Sequence, residues 1–383
     1  MYAGYRRCEK YKMAVRRNTN TDVFFNLLRA GLWEQDVQLA SYEKIDFNEV
    51  YRLAEEQSVV GLVSAGIEHI VDVKVPQEVA LTFVGSALQL EQRNKAMNQF
   101  VGALIEKLRA ADIYTLLVKG QGIAQCYERP LWRASGDVDL YLSKNNYNKA
   151  KAFLSPLAEH VDKEDKHKLH LGMTINSWIV ELHGTMYTEI SNRMNAVSDE
   201  VNTDIFLNGN VRSWDNGGVQ IFLPNPDNDV IIIFNHFINH FYGEGIGLRQ
   251  ICDWCRLLWY YKSKINSNLL ERRIRKAGLM TEWKAFAAFA VDYLGMAVDA
   301  IPFYDNRNKY RNKADKIAEL IIETGSFGSK KDNSYRQKGP QWKVYVQTFI
   351  TRMSEFIRLT TVFPLNAPKF FVTYTFNRVK AVL

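Results

Sequence analysis

The sequence predicts an α+β protein in which a small mixed sheet sits between an N-terminal and a C-terminal helical region. Three observations carry that prediction. Apolar residues recur at three- and four-residue steps over 20–113. The period changes to strand-like alternation near Ile113, and helical periodicity returns after about Met186. Apolar residues make up 47% of the 383 positions, enough to build a large core, which excludes disordered and fibrous classes.

In chain order, "DVFFNLLRAGL", "FNEVYRLAEEQSVVGLVSAGI" and "ALTFVGSALQLEQRNKAMNQFVGALIEKLRAADI" read as helices, the last with a stripe of Met97, Phe100, Val101, Leu104 and Leu108. "IYTLLVKG" (113–120) is a short buried strand ending in glycine, and "GIAQCY" starts a short helix. "GDVDLYL" is a second strand. "NNYNKAKAFLSPLAE" is a helix whose leading asparagines suit a cap. "HKLHLGMTI" and "SWIVELHG" form an alternating pair, a hairpin turning at Asn176-Ser177. From about 186 helices return, including five from "NDVIIIFNHFINHFY" to "WKVYVQTFITRMSEFIRLTT", and one strand, "GVQIFL", interrupts this region. This organisation divides the chain into a basic extension (1–19), a helical region (20–93), the α/β core (94–190) and a second helical region (191–383).

Lys and Arg number 49 against 42 acids, a net +7 that suits phosphate-bearing partners. The charge is too dispersed for a basic–aromatic groove, so nucleic acid is not the expected partner. Four cysteines are too few for a disulfide framework, the basic N-terminus lacks an apolar signal-peptide core, and no apolar run reaches the length of a membrane span. The expectation is a soluble, reduced, cytoplasmic protein, with Met13 as an alternative start.

The chemistry concentrates in "WRASGDVDLYL", residues 132–142. Asp137 and Asp139 share one strand face, with Val138, Leu140 and Leu142 on the other. Like charges so placed repel, and a divalent cation relieves them best. Hard oxygen donors suit Mg²⁺ or Mn²⁺, completed by substrate phosphates. Glu181 in "SWIVELHG" supplies a third carboxylate, pointing with His183 away from Trp178, Val180 and Leu182. Solvated acids on an exposed face are the competing explanation. The apolar flanks and the third acid weigh against it.

Upstream, "VKGQG" marks a strand-to-helix junction where Gly120 and Gly122 admit close backbone approach, Gln121 lies between them and Lys119 adds a point charge. Arg133 and Ser135 offer further phosphate donors. A plain tight turn explains the junction equally well by itself; its place one supersecondary unit before the aspartates gives it weight.

These residues resemble a family. "LLVKGQGIAQCYERPLWRASGDVDLYL" followed by "IVELHG" is similar to the nucleotidyltransferase superfamily with a DNA-polymerase-β-like core. More closely, it resembles uncharacterised bacterial nucleotidyltransferase-family proteins often encoded near surface-polysaccharide genes. The pattern maps onto Lys119, Gly120, Tyr127, Arg133, Asp137, Asp139, Glu181 and His183, and further on onto His240, Arg249 and Asp253. The resemblance runs over roughly 20–300 and is firmest over 114–184. It implies Mg²⁺-dependent transfer of a nucleoside monophosphate from an NTP to a hydroxyl acceptor, with Asp137, Asp139 and Glu181 holding metal. Lys119, Gly120, Gln121, Gly122, Arg133 and Ser135 would hold phosphate, and His183, His240, Arg249 and Asp253 would stand behind them. One departure is Gly120-Gln121 where the superfamily carries Gly-Ser. A non-catalytic nucleotide-binding or scaffold protein that keeps the fold is the alternative.

Other features have simpler readings. His236 and His240 with Cys252 and Cys255 have the donor types for zinc, but their amphipathic helical spacing suits core packing. Arg249 and Asp253, four residues apart, form a helix ion pair most simply. The acid-free stretch "FIRLTTVFPLNAPKFFVTYTFNRVKAVL" packs back on the helical region or meets a membrane surface, and Lys330, Lys331, Arg336 and Lys338 mark a basic loop.

Overall fold

The computed structural model describes residues 18–243, 245–325 and 353–382. Helices α1 (Thr19–Trp33), α2 (Phe47–Glu56), α3 (Val60–Glu68) and α4 (Gln77–Ala110) lead into the sheet region. There β1 (Leu116–Val118), α5 (Gly120–Ala124), β2 (Val138–Tyr141), α6 (Lys144–Leu154), β3 (His160–Val161), β4 (His170–Ile175) and β5 (Trp178–His183) follow in order. α7 (Asn192–Phe206) precedes a hairpin, β6 (Val211–Asn216) and β7 (Val219–Pro224). Beyond it lie α8 (Pro226–Gly243), α9 (Leu248–Tyr260), α10 (Ser267–Ala277), α11 (Met280–Leu294), α12 (Asn308–Thr324) and α13 (Asn366–Val382).

The main sheet has the order β1-β2-β5-β4-β3. β2 and β5 run parallel and the other neighbours antiparallel, the mixed sheet that the change of period predicts. Its two faces follow the alternation in the strands. Leu117, Val138, Leu140, Val180 and Leu182 turn one way, into a core built with Met97, Val101, Leu104 and Leu108 of α4 and with Tyr147, Ala150 and Leu154 of α6. The opposite face carries Asp139 and Glu181 and looks toward the C-terminal helices.

The β4–β5 hairpin turns at Asn176 and Ser177, as the sequence predicts. Both residues hold positive φ (50° and 64°), the requirement of a two-residue loop that follows the strand twist.

Several boundaries differ from expectation. The segment 47–67 is two helices because Ser58 takes φ 55° and ends α2. The cap of α6 is Ser143, whose hydroxyl accepts from the Asn146 N–H, rather than an asparagine. "GVQIFL" does not stand alone: "VRSWDN" pairs with it as β6, an alternating strand too polar to signal itself. α7 and α10 were not anticipated as separate helices. α4 runs unbroken through the 93/94 boundary, and α1 joins α11 in one core, where Phe25 meets Phe289 and Tyr293 edge-on. α1 of the first helical region and α11 of the second therefore share one core.

Phe363 and Phe370 of the C-terminal stretch are buried against Phe241 and Tyr242. Asn366 donates to Glu282 at 2.7 Å, so this part of the chain packs back on the helical core. The extension 1–17 and the basic loop residues Lys330, Lys331, Arg336 and Lys338 lie outside the described residues. Among the described residues, no helix is long and apolar enough to cross a membrane.

Candidate active site

A cavity of about 530 Å³ opens where the polar sheet face meets α8 and α9. Parallel pairing places Asp139 directly beside Glu181 and Tyr141 beside His183, so both acids and the imidazole share one face. Asp137 lies one residue before β2 on the same face. Oxygen atoms of Asp137, Asp139 and Glu181 all fall within 4.8 Å of one another, the convergence the sequence predicts.

Lys119 joins them from the end of β1. Its backbone holds φ 57°, unusual for a residue with a side chain, and Gly120 follows at φ 37°. That sharp exit from the strand delivers the ammonium to within 2.7 Å of Asp139 Oδ1. His183 Nε2 lies 2.8 Å from the same oxygen and 3.3 Å from Glu181 Oε2. From β4, His170 Nε2 stands 3.2 Å from Glu181 Oε2.

These contacts separate the two aspartates electrostatically. Asp137 titrates above its ordinary value, chiefly because of the Asp139 charge and secondarily through burial. For Asp139, burial works upward, but Lys119 and the hydrogen bond from His183 outweigh it and hold the carboxyl low. Glu181 is also held low: burial is again opposed, by hydrogen bonds from His170 and His183. The clustered acids keep Lys119 and His183 protonated more tightly than usual, although burial acts against both.

Of the phosphate-binding residues proposed from sequence, Lys119, Gly120 and Arg133 line the cavity, whereas Gln121, Gly122 and Ser135 do not. A Cβ on Gly122 would stand 2.9 Å from the Leu223 side chain, so that glycine serves packing between α5 and β7. Gln121 and Ser135 belong to a buried polar chain. Ser135 Oγ donates to Gln121 Oε1 at 2.9 Å and accepts from Arg133 at 3.0 Å, and Gln121 Nε2 reaches Asn94 on α4.

The chain of contacts ends on α9. Arg133 grips Asp253 through two bonds of 3.0 and 2.6 Å, and the Tyr127 hydroxyl donates to the same carboxylate at 2.8 Å. Asp253 thus serves the loop before β2 as the partner of Arg133, correcting the simple helix pair expected with Arg249. Arg249 instead donates to the Ala134 carbonyl at 3.1 Å and lines the cavity. Arg256, one turn on, is buried and bonds the carbonyls of Cys126 and Leu32, tying α1 and the α5 exit to α9.

α8 forms the cavity wall facing the acids. Asn235, His236, Asn239 and His240 recur there at helical spacing in an otherwise apolar helix. Burial, with Lys119 and His240 nearby, pushes His236 well below the usual imidazole range. Cys252 and Cys255 are buried in the helical core instead, and burial raises both thiols. Residues that the sequence reading does not single out include His170, and Lys168, which lines the cavity beside it. The alternating "HKLHLGM" held the only signal for His170, two strands away from the aspartates.

With this geometry in place, comparison with known families is decisive. A family described as uncharacterised nucleotidyltransferase matches residues 43–295, a span that includes the whole sheet and the acid cluster. The chain belongs to that family. Nucleotidyl transfer is accordingly the general chemistry of this nucleotidyltransferase, with an NTP as its substrate class. No curated protein and no solved structure matches it significantly.

Proposed function

We propose that this nucleotidyltransferase moves a nucleoside monophosphate from an NTP to a hydroxyl-bearing acceptor in a reaction that depends on Mg²⁺ or Mn²⁺. The observation that carries this reading is the convergence of Asp137, Asp139 and Glu181 oxygens on one wall of a cavity. The donor set fits such an ion: three carboxylates and no soft ligand, with one of them, Asp137, titrating above its ordinary value beside the Asp139 charge. An ion held by these three would neutralise triphosphate charge and increase the acidity of an acceptor hydroxyl.

The chain's own groups supply the remainder. Lys119 is placed to exchange its bond to Asp139 for a phosphate oxygen, a point charge moving a short distance at the cavity wall. Arg133 is fixed by Asp253 and Tyr127 and adds positive potential at the cavity wall without leaving its partners. His183 orients Asp139 and Glu181 together, the role of a partner behind the ligands. Arg249 adds charge opposite Asp137. Ile231, Ile232 and Val201 add aliphatic surface to the cavity lining. The acceptor is a hydroxyl on a sugar, glycan, small molecule or protein, and the resemblance to proteins encoded near surface-polysaccharide genes favours the sugar or glycan.

The test is transfer from α-phosphate-labelled NTPs to a panel of sugars and glycans with Mg²⁺, followed as labelled product and released pyrophosphate. Label transfer that vanishes in Asp137→Asn supports the reading. Intact NTPs throughout, together with no Mg²⁺-dependent nucleotide binding, would leave a scaffold that has kept the fold.

A further inference from the structure

We propose that His170, Glu181 and His183 form a second cation site, of mixed nitrogen and oxygen donors, that prefers Mn²⁺, Co²⁺ or Zn²⁺ to Mg²⁺. The inference goes beyond nucleotidyl transfer and concerns the protein without nucleotide.

Antiparallel pairing sets His170 of β4 directly beside His183 of β5, and places both rings on the sheet face that carries Glu181. Their ring centroids are 4.8 Å apart at an interplanar angle of 37°. One donor atom from each of His170, Glu181 and His183 lies within 4.8 Å of the others.

The separations match those of ligands around one ion. Two donors each about 2.1 Å from a metal, at angles between octahedral and tetrahedral, stand about 2.9–3.4 Å apart. His170 Nε2 and His183 Nε2 lie 3.2 and 3.3 Å from Glu181 Oε2, inside that window. His183 Nε2 also donates to Asp139 at 2.8 Å in the metal-free protein, so an ion bound here would take that nitrogen in exchange for this hydrogen bond and its proton. Without an ion these imidazoles hydrogen-bond Glu181, and the same spacings also fit joint coordination of one cation.

The donor chemistry sets the preference. Imidazole favours borderline divalent ions, and two imidazoles with one carboxylate form a set that Mg²⁺, which prefers oxygen, does not select. His183 is nearly enclosed while His170 is about one-third exposed, leaving access from the cavity side. Glu181 belongs to both donor sets, so an ion at either position acts on the other.

The test uses the EDTA-treated full chain, titrated with Mn²⁺ without nucleotide, with binding read by calorimetry and the ligands by pulsed EPR. Bound Mn²⁺ should show ¹⁴N modulation from imidazole, yield to Zn²⁺ and Co²⁺, and resist a large excess of Mg²⁺. His170→Asn should weaken binding by at least about tenfold and reduce the modulation. No Mn²⁺ binding, bound Mn²⁺ without nitrogen modulation, displacement by Mg²⁺ at similar concentration, or unchanged affinity in folded His170→Asn would each overturn the proposal. The wild-type spectrum decides the matter even if the variant misfolds. Loss of this site with intact Mg²⁺–nucleotide binding would leave nucleotidyl transfer standing.

Discussion

The Lys119 ammonium and the Asp139 carboxylate meet at 2.7 Å, both shielded from solvent, at the point where β1 gives way to α5. This contact makes the two aspartates of β2 unequal. Asp139 has a cation of its own and a histidine besides, whereas Asp137 carries the repulsion.

The inequality sets opposite expectations for two nearly isosteric substitutions. Asp139→Asn takes from buried Lys119 its nearest counter-charge, at 2.7 Å, and should cost about 3 kcal/mol in metal-free protein. Asp137→Asn removes a repelled charge, and stability should stay level or rise. Urea unfolding of both variants in EDTA checks the contrast; equal losses would show that the aspartates are equivalent.

pH should reveal the same cluster. Asp139 and Glu181 are held below their ordinary values, so their contribution is present above about pH 4–5 and is lost as pH falls through the folded values. His183 is held above its ordinary value, so its contribution is complete below about pH 6.5 and fades as pH rises through the folded value. The difference in unfolding free energy between wild type and His183→Gln should therefore decline from slightly acid pH toward alkaline pH. A flat or rising difference would contradict this assignment of charge.

The Arg133–Asp253 pair anchors the loop that delivers the aspartates. Both side chains are buried, and Tyr127 and Ser135 complete their hydrogen bonds. Asp253→Ala leaves the guanidinium uncompensated and should cost about 3–5 kcal/mol, with a matching fall in melting temperature. A loss below 1 kcal/mol would mean that the network does not hold the loop.

At the hairpin turn, Ser177 occupies a left-handed conformation at φ 64°. Ser177→Gly should relieve this and stabilise the protein by about 0.5–1 kcal/mol in equilibrium unfolding. Destabilisation would show that the side chain contributes more than the backbone strain removes.

What was legible in the sequence follows from what each feature depends on. The strands, the hairpin turn and the facing of Asp137, Asp139 and Glu181 depend on a period of two and on local turn chemistry, both visible in one stretch. His170 was not legible because only the register of β4 against β5 brings it to Glu181. The partner of Asp253 was hidden for a similar reason: Arg133 lies 120 residues away, while Arg249 offered a plausible neighbour one turn back. Gln121 and Ser135 suggested phosphate donors by type and position. Their fate as scaffold was decided by Asn94, in a helix whose stripe showed only its apolar members.

The most direct test of the metal-centred site is calorimetric titration of wild type and Asp137→Asn with each of the four NTPs, with and without Mg²⁺. Wild type should bind at least one NTP in a Mg²⁺-dependent manner, and the variant should lose that binding while remaining folded. Mg²⁺-independent binding, or equal affinity in the folded variant, would contradict a carboxylate cation site at Asp137, Asp139 and Glu181.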